Sequence, residues 1–389
     1  MSTLTDRELL DRLVAFDSVS RNSNRPIADF VCEYLDHANV DIHYHESADG
    51  DKVNVIVGTK GQTDADDALE GDVPGLVLSG HLDVVPADEP DWESDPFQVT
   101  ERDGMLFGRG TADMKGFVAL SINAFRRVAE RAPEAPLMLL LTRDEEIGTI
   151  GAQHWAETWT GPRLPTDVIV GEPTSLQVVT MHKGFIQLAI TFRGVSAHSG
   201  YPHLGRSAIE PAGVAINALT ELRRTLDAER PAYSDHFPEV PFAALNIGKI
   251  KGGSATNVVP DHCSIDVGIR LLPAMTGDAM MERVRAALQA ALRDTPFTLE
   301  VFSDSPPMWL EGDTDLSADL LRHLHQDHPT TASYATDAGW FQSVGHRCVI
   351  FGPGAIGVAH KPNEFLPIDE FERAHDILET IIDRRVLDS

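Results

Sequence analysis

The chain has 389 residues, 42% of them hydrophobic and 24% charged, with 60 Asp and Glu against 32 Lys and Arg for a formal net charge of -28. That length and apolar content suffice for a sizeable core in two domains, and the acidity argues against nonspecific binding to nucleic acid or anionic lipid, whose phosphates are met with Lys and Arg. Three scattered cysteines, Cys32, Cys263 and Cys348, have neither metal-ligand spacing nor an even count, which argues against a disulfide framework and fits a reducing cytoplasm.

The opening stretch MSTLTDRELLDRLVAFDSVS lacks the basic segment, apolar run and cleavage site of a secretory leader and reads as a helix. Thr5 and Glu8 fit a capping box, Leu4 and Leu9 the flanking staple, and Leu9, Leu10, Leu13 and Phe16 recur at helical spacing. Apolar runs follow at 53–58, 75–80, 136–142, 167–172 and 347–352, with a helical pattern over 114–132; none approaches the length of a membrane span. Short apolar strands alternating with helices predict an α/β fold with a mostly parallel sheet buried on both faces. The acid-rich loop at 61–72 lacks the spacing and terminal Glu of an EF-hand, so its carboxylates read as solvated. From about residue 183 to 305 the order becomes strand, helix, strand, strand, helix, strand, the βαββαβ ferredoxin-like unit. A helix and a buried strand then resume, so 183–305 is expected as a domain inserted into a catalytic α/β domain formed by 1–182 and 306–389.

Four of the buried runs end in candidate metal ligands: His81 and Asp83, Glu145 and Glu146, Glu172, and the loop reaching His360. Open α/β sheets bind ligands outside the carboxyl ends of their strands. Asp113 joins them from GRGTAD, just before the 114–132 helix, where it also suits an N-cap. Singly, each residue has a plainer reading as a loop histidine, a cap, a strand end or surface. Together, two histidines and three carboxylates at the ends of unrelated apolar runs point to hard or borderline divalent ions. With Asp113 bridging, one ion takes His81 and Glu172 and the other takes Glu146 and His360, about 3.5–4 Å apart. Asp83 is placed to accept the other imidazole N–H of His81. Glu145 remains free as a general base that takes a proton from water and passes it to a leaving nitrogen, while Asp144 reads as solvated or paired with Arg143. The string GPGAIG at 352–357 matches a dinucleotide fingerprint in letters, but Pro353 and the absence of a following helical pattern argue against that use. In the inserted domain, His198 of GVSAHSG is the candidate donor to a developing oxyanion, and Arg270 with Asn257 suits capture of a substrate carboxylate.

With these residues assembled, the segments SGHLDVVP, GRGTADMKG, TRDEEIG, VGEPT, GVSAHSG and GPGAIGVAHKPNEF make the chain resemble the M20 family of metallopeptidases and amidohydrolases. The resemblance implies the same ligands, His81, Asp113, Glu146, Glu172 and His360, with Asp83 behind them and Glu145 as base. It also implies a lid that forms a homodimer, with His198 reaching the partner's site. SRNSN at 20–24, with GPG and AHKPNEF, is most similar to the acetylornithine deacetylase branch, which would place Thr336 and Gly354 at the substrate. In ATDAGWF, Asp337 stands where that branch usually has Glu, and Trp340 and Phe341 alter the pocket. The expected activity is two-metal hydrolysis of an N-acyl amino acid, most simply N2-acetyl-L-ornithine. The alternatives are a succinyl-diaminopimelate desuccinylase, an aminoacylase or a dipeptidase. A noncatalytic binding protein is the rival of another class, and it would be expected to lose Glu145 or a ligand. Histidine and carboxylate ligands suit zinc, with cobalt or manganese as substitutes.

Overall fold

The computed structural model describes residues 2–60, 71–131 and 133–387. Most of the acid-rich loop at 61–72 thus lies outside the described residues. The chain forms two compact units: Met1–Thr180 with Leu310–Thr330 and Thr336–Ser389, and Met181–Trp309 with Thr331–Ala335.

The first unit is built on a sheet whose centre is parallel. Leu137–Thr142, Leu76–His81, Asp167–Val170 and Arg347–Ile350 lie side by side in that order, all parallel. Antiparallel strands flank them, with Val53–Thr59 and then Val40–Glu46 beside Leu137–Thr142, and Val179–His182 meeting Arg347–Ile350. The four strands from Val53 to Val170 are buried along their whole length, which is why they read as continuous apolar runs rather than alternating ones. Sheet order places Leu76–His81 between Leu137–Thr142 and Asp167–Val170, both later in the chain, which makes its carboxyl end a topological switch point, where open α/β sheets form their ligand crevice.

Helix Gly116–Ala129 packs against this sheet and is apolar on nearly every side, as a helix enclosed between layers must be. The first helix, Asp6–Val14, has the expected capping box, with Thr5 Oγ1 accepting from the Glu8 amide at 3.2 Å and the Thr5 amide donating to Glu8 at 2.8 Å. Among the described residues no helix is long and apolar enough to cross a membrane.

The second unit runs Gly184–Arg193, helix Ile209–Ala228, Ala244–Gly252, His262–Leu271, helix Gly277–Leu292 and Thr298–Ser305. Its strands are all antiparallel, in the order Ala244–Gly252, His262–Leu271, Gly184–Arg193, Thr298–Ser305, the ferredoxin-like arrangement. One face of this sheet is covered: His262–Leu271 alternates strictly between buried and half-buried positions, and Cys263, Ile265, Val267, Ile269 and Leu271 join the core. Pro211 sits in the first turn of its helix, where a missing N–H breaks no helical bond. The segment Thr331–Ala335, which the sequence pattern does not single out, packs with this unit.

Candidate metal centre

Five of the predicted residues converge at the carboxyl ends of the parallel strands, all within the first unit. His81 is the last residue of the switch-point strand. Its Nδ1 donates to the backbone carbonyl of Asp83 at 2.9 Å, which turns Nε2 toward Asp113 Oδ1 at 3.1 Å. The carboxylate of Asp83 stands 3.8 Å from Nδ1, too far for the hydrogen bond expected of it. It instead accepts the backbone N–H groups of Glu145 and Glu146, at 3.1 and 3.3 Å, and the Ser20 hydroxyl at 2.7 Å. Asp83 therefore fixes His81 through its main chain and the acidic loop through its side chain.

Asp113 follows Gly110, whose φ of 83° suits glycine, and caps no helix. Its other oxygen lies 3.2 Å from His360 Nε2, which is also 2.9 Å from Glu146 Oε2. Glu172 stands two residues beyond Asp167–Val170. A Cβ on the intervening Gly171 would lie 1.8 Å from Phe117, so glycine there lets the strand end approach the helix that follows Asp113. Two groups of prospective ligand atoms result, His81, Asp113 and Glu172, and Asp113, Glu146 and His360, each within 4.8 Å of one another.

Charge balance separates the neighbours in TRDEEIG. Asp144, at a left-handed φ of 54°, is held by Arg143 at 2.7 Å and by Lys52. Among the described residues, no Lys or Arg pairs with Asp113, Glu145, Glu146 or Glu172. Burial, followed by the negative charge of Glu172, pushes the Glu145 carboxyl well above its usual range. Burial and Asp113 push Glu146 up to about 7, and burial and Asp113 likewise raise Glu172. Burial opposes a charged His81, but Asp113, Glu145 and Glu172 outweigh it and raise its pKa. Hydrogen bonds to the Asp113 and Glu146 carboxylates raise His360 to about 10. Burial would raise Asp113, yet its two imidazole partners hold it low. Glu146 Oε1 and Glu172 Oε1 are buried with no hydrogen-bond partner. Unpartnered buried oxygens in an acidic cluster are costly as they stand, and a cation for each group removes that cost. The donor set of imidazole and carboxylate fits divalent ions.

Asp337 is also buried beside the cluster. Thr142 donates to its Oδ2 at 2.5 Å, Oδ1 is unpartnered, and burial raises its pKa to about 7. Thr336 is buried next to it, its hydroxyl accepting from the Ala338 amide. Gly354 has φ 86° and packs against Ala112, but its amide donates to Glu370 at 2.8 Å and is not free for a substrate. Trp340 donates to Thr149, and Phe341 is in the core.

His198, Asn257 and Arg270 belong to the second unit. His198 and Asn257 are exposed at a short two-stranded pairing of Ala197–His198 with Val258–Val259, where the Ser199 amide donates to the Asn257 carbonyl. The Gly200 amide donates to His198 Nδ1 at 3.0 Å, so the neutral ring carries its proton on Nε2. Arg270, at the far end of its strand, lies 3.6 Å above the Phe185 ring.

Sequence reasoning missed Arg109 and Glu364, which are buried behind the centre and paired at 2.7 Å. The only signal was a charged residue inside each of the strings GRGTAD and HKPNEF.

Fold and cluster together are those of a metal-dependent hydrolase. The sequence profile of the peptidase family M20/M25/M40 matches residues 77–384, and the chain belongs to that family. An acetylornithine deacetylase from Photorhabdus laumondii subsp. laumondii is 34% identical over 384 residues, covering 97% of this chain and 96% of that protein. Among solved structures, the M20 metallo-carboxypeptidase Sso-CP2 of Sulfolobus solfataricus is similar with a TM-score of 0.75 at 16% identity, covering 98% and 99% of the two chains. The YXEP protein of Bacillus subtilis, described as a dinuclear metal-binding M20 peptidase, has a TM-score of 0.61 at 14% identity, covering 97% and 96%. At these identities the structural likeness speaks for the fold.

Proposed function

We propose that the chain deacetylates N2-acetyl-L-ornithine to L-ornithine and acetate, the reaction that supplies ornithine in arginine biosynthesis. The observation that carries the reading is the pair of ligand groups whose buried carboxylates lack a Lys or Arg, with Glu145 beside them, in a chain 34% identical to an acetylornithine deacetylase over nearly its full length. His81, Asp113 and Glu172 would hold one ion, and Asp113, Glu146 and His360 a second, with zinc the best match and cobalt or manganese workable. Such a pair, when bound, polarises the acyl carbonyl and acidifies water near neutral pH.

Every other part falls to the chain's own groups. Glu145, made basic by burial and neighbouring charge, takes a proton from water on its carboxylate and returns it to the leaving nitrogen. Asp83 keeps Glu145 in place through the backbone N–H. The Nε2–H of His198 is the donor for the oxyanion, and Arg270 with Asn257 anchors the α-carboxylate. Thr336 and the unpartnered oxygen of Asp337 bear on the amino-acid side chain. We further infer a homodimer through the second unit, whose edge strand exposes Ile250 and whose first helix exposes Ile209 and Val214. The free, buried thiols of Cys32, Cys263 and Cys348 suit a cytoplasmic enzyme.

The test is a panel on zinc- or cobalt-reconstituted protein: N2-acetylornithine, N-succinyl-diaminopimelate, other N-acetyl amino acids and dipeptides. Acetylornithine is expected to lead in kcat/KM by at least about tenfold, the low end of what a single methylene decides in a pocket. A panel led by the succinyl compound or a dipeptide would replace the substrate assignment.

A further inference from the structure

The two ligand groups are held by different means. His81 and Glu172 stand at or just beyond the ends of central strands. His360 stands in a loop, its side chain 51% exposed, with φ +60° at His360 and again at Asn363. Left-handed backbone at residues other than glycine persists only where surrounding contacts impose it. Asn363 is held by the Glu93 amide and the Asp91 carbonyl, each at 2.9 Å, and the stretch beside His360 is held by one buried ion pair. Arg109 Nη1 meets Glu364 Oε2 at 2.7 Å, and both side chains are 1% exposed. The same guanidinium donates to the Lys361 carbonyl at 3.3 Å, one residue past His360, and to the Pro86 carbonyl at 3.0 Å. The other oxygen of Glu364 accepts the amides of Ala112 and Asp113, at 3.0 and 3.1 Å. Main-chain pairing of Phe365 with Phe107 and of Leu366 with Leu106 ties the two segments together beyond the pair.

We propose that Arg109 and Glu364 are positioning residues that set ion affinity at the Asp113, Glu146 and His360 group, and have much less influence on the His81, Asp113 and Glu172 group. The couple spans the two segments that carry Asp113 and His360, closer to the ligands than the short Phe107–Phe365 pairing, so it sets the separation of two ligands that stand outside the central sheet. His81 and Glu172 keep their places through the sheet when the couple is lost. Partners behind the ligands of a metal site typically govern affinity by about tenfold to a hundredfold. The proposal rests on the two-ion reading above.

The experiment is titration of Zn2+ into chelator-treated protein by calorimetry, on wild type, Glu364→Gln, Arg109→Lys and the reference variant His360→Asn, with circular dichroism to check folding. Glu364→Gln keeps an acceptor for the two amides and removes the ion pair, whereas Arg109→Lys keeps the charge and removes the fork that reaches Lys361. Wild type should take up two ions, and the step lost in His360→Asn should weaken about tenfold or more in both variants, with the other step changing less than about threefold. If both steps match wild type, or both weaken equally in folded protein, the couple is merely structural and the proposal is overturned. A wild type that binds a single ion would instead overturn the two-ion reading, a result visible before any variant is made.

Discussion

The strand Asp167–Val170 has a buried carboxylate at its amino end, Asp167, and another just past its carboxyl end, Glu172, each 4% exposed. Asp167 receives Arg347 Nε at 2.7 Å and a second guanidinium from Arg385. Among the described residues Glu172 receives no Lys or Arg; it keeps one oxygen unpartnered and has its pKa raised by burial and by Asp113. The same contrast recurs over one peptide bond, between Asp144, with Arg143 and Lys52, and Glu145, with neither. A carboxylate that the chain itself neutralises belongs to the architecture. One that it buries without a counter-charge leaves a demand that a cation or a proton must meet, and such groups gather where chemistry is done.

The sharpest way to break this contrast is at Glu145. Glu145→Gln removes the proton carrier and leaves both ligand groups intact, so metal content should stay at the wild-type level while kcat falls by about 10²–10⁴-fold. Steady-state kinetics beside metal analysis of the same sample decides it. A variant with near-normal turnover would mean that Glu145 is not the base.

The two ends of Asp167–Val170 should then respond in opposite ways. Glu172→Gln relieves an uncompensated buried charge, so its melting temperature without metal should equal or exceed that of wild type. What it loses is the gain on adding Zn2+, worth about 4 kcal/mol at a thousandfold excess over Kd. Asp167→Asn takes the counter-charge from Arg385 and leaves Arg347 only Asp72, so it should cost roughly 1–3 kcal/mol with or without metal, the lower range reflecting the partial exposure of Arg347. Thermal melts with and without chelator separate the cases, and a metal-dependent penalty at Asp167 would erase the distinction.

How far this was legible in the sequence follows from what a linear pattern encodes. A fully buried parallel strand must read as an apolar run, so the strand ends, and the ligands beyond them, stood out at His81, Glu146 and Glu172. Asp83 was seen but given the wrong acceptor, because a spacing of two residues brings both its carbonyl and its carboxylate near His81, and only the fold of the 144–146 turn decides between them. At Gly354, expected beside the substrate, the string does not reveal that Glu370 claims the amide. Arg109 and Glu364 were invisible for a different reason: they are 255 residues apart, and a charged residue looks exposed until its partner is known.

A buried imidazole in the second unit extends the comparison to pH. Burial, against the Lys183 carbonyl and with Arg270 nearby, holds His182 down at about 4, compared with an unfolded value near 6.5. As pH falls below about 6.5 the unfolded chain binds this proton first, so the contribution is fully present above 6.5, declines toward pH 4 and is flat below. Its size is about 3 kcal/mol. The difference between the stability–pH curves of wild type and His182→Asn should carry that slope over that window. Parallel curves would show that His182 is not held neutral.

Screening should divide the carboxylates once more, with the smallest effect. A net charge of -28 makes the surface repel itself, and raising salt from 0.1 to 1 M shortens the screening length from about 10 to 3 Å. The wild-type melting temperature should therefore rise by roughly a few degrees as exposed carboxylates cease to repel. Buried pairs are screened far less, so the Asp167→Asn penalty should be nearly the same at both salt concentrations. If that penalty shrinks in step with the general rise, Asp167 behaves as one more surface charge, and the contrast between the two ends of its strand loses its amino-terminal half.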